Sequence, residues 1–190
     1  MDERFLLFGL ESFNALLNQV LPASLNWETS LVKITGSGFD ENKLTNLLSQ
    51  VVKILADPLE TLEDDLKYHM IKQLEDAINK KIVIKSDILG EFKLEFIKED
   101  PKIKISKLTS DDISKLPIVS INKEVILSIL EQKSSMLEMI LKKKMSLSNT
   151  SELSQGFTRI LLSIPSLYLT RKELLSTIKQ GFLSLLSQFN

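Results

Sequence analysis

Residues 80–108 read KKIVIKSDILGEFKLEFIKEDPKIKISKL, and this stretch decides the fold. Ile82 and Ile84 alternate with Val83 and Lys85. After Gly90, Phe92-Lys93-Leu94-Glu95-Phe96 alternates strictly, and after Asp100-Pro101 so does Lys102-Ile103-Lys104-Ile105. A period of two sends successive side chains to opposite faces of a strand. Three such runs separated by turn residues predict an antiparallel meander. One face collects Ile82, Ile84, Phe92, Leu94, Phe96, Ile103 and Ile105 and needs a cover of helices. The other carries Lys85, Lys93, Glu95, Lys102 and Lys104 and is expected to be wet.

Upstream of the meander the pattern is mostly helical. Phe5, Phe8, Phe13, Leu16, Leu17, Val20 and Leu21 recur at helical spacing, predicting a helix over 3–21 that stops at Pro22. Leu31–Thr35 reads as a short strand ending at the turn Gly36-Ser37-Gly38. Asp40 is placed to cap a helix over 41–56. A second helix is expected over 59–80, acidic at its start and ending on Lys80-Lys81, an order that complements the helix dipole. Both are natural covers for the sheet.

The last third is read as helical too. A helix is expected over 122–145 with Asn122 as its cap, followed by a polar break over 146–151. Another helix is expected over 152–164, ended by Pro165. Thr170 and Glu173 have the spacing of a capping box for a final helix running toward Gln188. The fold class that follows is α+β and mostly helical. A small, largely antiparallel sheet of three to four strands is covered by helices, with a C-terminal helical bundle. The chain is read as a single domain, 1–190, with 1–108 and 109–190 as its α/β and helical parts.

Composition excludes several kinds of chemistry. The chain has no cysteine, so disulfides, thiolate metal sites and thiol nucleophiles are ruled out. His69 is the sole histidine, which removes every metal motif built on two imidazoles, and no G-x-S-x-G elbow accompanies it. Gly36-Ser37-Gly38 lacks the third glycine of a dinucleotide fingerprint and the Gly-Lys-Ser/Thr of a P-loop. Glu60, Glu63, Asp64 and Asp65 suit the first turns of a helix. No cofactor and no small-molecule substrate is expected. No stretch has the apolar length of a membrane span and the first residues do not resemble a secretory signal, so the expected location is cytoplasmic.

What remains is binding. The terminal helices carry Phe and Leu over wide arcs, and Phe5, Phe8, Phe182, Leu186 and Phe189 are the candidate contacts for a protein partner or a second copy. The expected function is a non-enzymatic assembly or adaptor subunit. A nucleic-acid interface is the alternative. Residues 1–79 carry a net charge of −7 and residues 80–190 one of +6. Lys85, Lys93, Lys102 and Lys104, with Lys142, Lys143 and Lys144, are the candidate phosphate contacts. An enzyme working through the helix carboxylates is the least favoured reading.

Overall fold

The computed structural model describes residues 3–36, 40–99, 102–153 and 155–189. The meander is present: β1 (Lys81–Ser86), β2 (Gly90–Phe96) and β3 (Ile103–Ser106) pair antiparallel. Ile82 stands opposite Leu94, Ile84 opposite Phe92, and Phe96 opposite Ile103, so the apolar residues share one face as the alternation requires. The sheet is larger than expected. β4 (Ile118–Ser120) adds parallel to β1, and β5 (Ser146–Ser148) adds antiparallel to β4. The result is a mixed five-stranded sheet of order β3-β2-β1-β4-β5. Each added strand is only three residues long, too short for a period of two to declare itself.

The helices are α1 (Glu3–Val20), α2 (Trp27–Thr35), α3 (Glu41–Ala56), α4 (Asp64–Glu75), α5 (Ser110–Lys115), α6 (Lys123–Leu130), α7 (Met136–Leu141), α8 (Gln155–Thr170) and α9 (Lys172–Ser187). The architecture is α+β and mostly helical, with helices at the C-terminus. α3 begins where its cap predicts: the Asp40 carboxylate accepts from the Lys43 N–H at 3.1 Å. Ser37 and Gly38 of the expected turn lie outside the described residues.

Five expectations change. Leu31–Thr35 is helix, not strand. Asn26 caps α2 by accepting from the Thr29 N–H, and the Trp27 indole donates to the Pro22 carbonyl at 3.0 Å. The helix over 59–80 is broken into a 3-10 turn (Asp57–Thr61) and α4, because Leu62 between them is extended. The helix over 122–145 is likewise two, α6 and α7. Gln132 enters the left-handed region at φ 58°, and Ser135 caps the second piece. Pro165 lies inside α8 instead of ending it. The capping box at Thr170 is not made: its hydroxyl donates back to the Ser166 and Leu167 carbonyls, and Arg171 is the N-cap residue of α9.

The main core lies where the two ends of the chain meet. α1 packs on α8, α9 and α7, and α9 also reaches α3. Leu16, Val20, Leu59, Tyr168 and Ile178 are wholly or almost wholly buried there, with Phe182 beside them. Burial pushes the Tyr168 phenol above its ordinary pKa, and its hydroxyl donates to the Leu55 carbonyl. A second cluster, Val125, Ile129, Met139 and Met145, holds α6 and α7 against β4 and β5. The sheet's outer strand β3 is closed by α3, whereas α4 packs on α8.

Gly9 fixes how closely α1 approaches α8. A Cβ built there would lie 2.8 Å from the Leu161 Cβ, a contact that side chains do not tolerate. Overpacking of this kind costs about 1–3 kcal/mol, and the helix propensity regained from glycine returns about 1 kcal/mol. Gly9→Ala is therefore expected to destabilise the fold by up to about 2 kcal/mol. It should lower the urea midpoint without changing the slope of the transition.

Candidate functional site

The proposed contacts of the terminal helices separate into two groups. Phe5 and Phe8, three residues apart on α1, are 56% and 66% exposed. Phe182 and Leu186 are buried, Phe182 within the main core. Phe189 is half-buried at the end of the chain. Most of the apolar stripe of α9 is thus taken up by α1, α3 and α8, with Leu183 left exposed, and of these two helices it is α1 that presents phenylalanine rings to solvent. The same α1 is firmly held further along. Asn14 is buried and accepts from the Met136 N–H at 3.2 Å, and the Gln132 amide donates to the Asn18 and Leu21 carbonyls. Phe5 and Phe8 are therefore carried on an anchored helix.

The lysine face carries carboxylates among its amines beyond the Glu95 that the alternation already placed there. Across the strands, Lys85 stands opposite Glu91, and Glu95 lies between Lys81 and Lys104. Opposite charges facing each other across a sheet stabilise it and cancel each other's field. Nor is the face wholly wet. Val83 on this side is fully buried, and Lys93 is held by Asp112 of α5, with both carboxylate oxygens 3.0 Å from the amine. Their side chains are only 18% and 14% exposed. Lys102 sits outside the strand at φ 69°, its amine on the Lys98 carbonyl. In the second group, Lys142 pairs with Glu138 and Lys144 with Glu124, while Lys143 is exposed.

Asp112 has two functions at once. It closes a capping box with Thr109 at the start of α5 and pins that helix to β2 through Lys93. Hydrogen bonds from Thr109 and then from Lys93 lower its pKa to about 2.

His69 is exposed on α4 with its ring edge-on to Tyr68. Glu60 pairs with Lys67 and lies in the 3-10 turn, so it does not share a helix face with Asp64. Among the described residues no group of three or more His, Asp or Glu side chains is arranged to hold a metal ion. No helix is long and apolar enough to cross a membrane among the described residues. One feature escaped sequence reasoning: an open cleft of about 260 Å³ between the start of β1, the α5–β4 junction and the start of α8. Its residues come from three distant parts of the chain, and no local pattern joins them. Comparison with protein-family models, curated proteins and solved structures finds no match.

The acid behaviour of the Asp112 contact follows from its sign. Its folded pKa of about 2 lies below the unfolded value of about 4, so its contribution is complete above pH 4 and is lost as the pH falls toward 2. Asp112→Asn should flatten the pH dependence of stability in that window. Asp112→Ala, which removes the reciprocal half of the capping box and leaves the largely buried Lys93 unpaired, should cost about 1 kcal/mol or more at neutral pH. Urea unfolding at a series of pH values measures both.

Proposed function

We propose that this chain is a non-enzymatic assembly subunit of the cytoplasm that binds a protein partner, or a second copy of itself, through the start of α1. The observation that carries the reading is the pair Phe5 and Phe8. Two large aromatic side chains, one turn apart, stand in water on a helix whose remaining length is anchored in the core. Isolated exposed apolar residues are common on protein surfaces, but adjacent aromatic rings on a rigid element are the usual anchors of interfaces. The cytoplasmic placement rests on the cysteine-free composition, which suits a reducing compartment.

Burial of each ring contributes about 1.5–3 kcal/mol. Phe5→Ser with Phe8→Ser should therefore weaken association by roughly a hundredfold or more. Because both rings are exposed, the double variant should keep the far-UV spectrum and thermal midpoint of the parent. Light scattering on a sizing column provides the test. The parent, alone or with its co-purified partner, is expected to run well above the 21.6 kDa of one chain, and the variant at that mass. A variant that retains the parent's assembled mass removes the α1 surface from the proposal.

A further inference from the structure

We infer that the cleft beside β1 is a second docking surface, independent of Phe5 and Phe8, that receives an extended acidic peptide segment anchored by one bulky apolar side chain. Three amines border it: Lys80 and Lys81 at the start of β1, and Lys115 at the end of α5. Its apolar lining comes from Ile82, Leu116 and Phe157, the last ring lying 6.3 Å from that of Phe96.

The open shape of the cleft bears on the class of occupant. Sites that enclose a whole small molecule run to roughly 300–1,000 Å³ and bury most of it. This cleft, about 260 Å³ and open to solvent, does not enclose a ligand in that way and has room for a single large side chain with its backbone outside. Charge then decides which peptide. Amines around an apolar floor favour carboxylates on either side of the anchor.

Two of these amines, those of Lys80 and Lys115, are available. Lys80 is exposed and has no carboxylate partner among the described residues. Lys81 reaches Glu95 only at 3.6 Å. Lys115 reaches Asp111 at 3.7 Å, with both side chains more than 70% exposed. The exposed Lys115 pair contributes little and exchanges readily for a better-placed anion, whereas Glu95, only 21% exposed, keeps Lys81 beside it. Lys93, by contrast, is committed to Asp112 and is not part of the site.

The probe is fluorescein-labelled acetyl-Glu-Glu-Phe-Glu-Glu, read by fluorescence polarisation on the full chain at low and at physiological salt. It should bind, and more weakly as salt rises. Replacing its phenylalanine by alanine should weaken binding by roughly tenfold or more, as for an interface anchor. Replacing its glutamates by lysines should abolish binding. Lys80→Glu with Lys115→Glu should weaken the parent peptide by at least roughly tenfold while leaving the far-UV spectrum unchanged. The Phe5→Ser, Phe8→Ser variant should bind it as the parent does, which separates this site from the α1 surface. Equal binding of the glutamate and lysine peptides, or indifference to the two lysine reversals, overturns the inference. So does binding of dodecanoate to the cleft where the peptide does not bind, which would assign the site to a free anionic amphiphile.

Discussion

The close approach of α1 to α8 is the constraint on which the rest of the fold depends. Gly9 lets the two backbones come together against Leu161, and that contact sets the depth at which Leu16 and Val20 enter the core. α9 then closes over the same cluster with Ile178 and Phe182. The polar contacts of α1 serve the same arrangement. Asn14 accepts from the first N–H of α7, and the carbonyls of Asn18 and of Leu21, just beyond α1, receive the Gln132 amide, so the turn between α6 and α7 is tied to the first helix. A buried asparagine is tolerated there because its oxygen has a backbone donor.

The sheet is managed differently on its two sides. The apolar face and the β3 edge are covered, and Ile103 and Ile105 are almost completely buried. On the charged face, α5 is held to β2 by a paired lysine and carboxylate, and Val83, the cross-strand neighbour of that lysine, is buried. Such a pair gains from its own capping hydrogen bonds, which satisfy the carboxylate as it is desolvated. The face is consequently a lattice of alternating charge with little net field.

The meander, α1 and α3 were legible in the sequence because each is long enough for its period or cap to be unambiguous. Leu31–Thr35 was misread because five residues of Leu-Val-Lys-Ile-Thr fit a strand, while the helical signal lay just upstream in Asn26 and Trp27. β4 and β5 take their conformation from the strands beside them, so nothing local announces them. The division of the long helices at Leu62 and Gln132 is a backbone event at residues that helices ordinarily accept. The candidate surface shows the same limit. Phe5 and Phe182 look alike in sequence, and only tertiary packing makes one a surface ring and the other core. Lys85 and Lys104 became parts of a balanced face only once register placed Glu91 and Glu95 across from them.

The Gly9–Leu161 contact also joins nearly the first helix of the chain to nearly the last. On a ribosome, which releases the N-terminus first, α1 emerges long before the helix it packs against. The hairpin of β1 and β2 needs only neighbouring residues and can form early, whereas the main core must wait for α8 and α9. Until then Leu16 and Val20 lack the part of their cluster that α8 and α9 supply, Ile164, Tyr168, Ile178 and Phe182. The nascent chain therefore carries an aromatic-bearing amphipathic helix only partly covered until α8 and α9 have emerged, and their docking is the event that closes the main core.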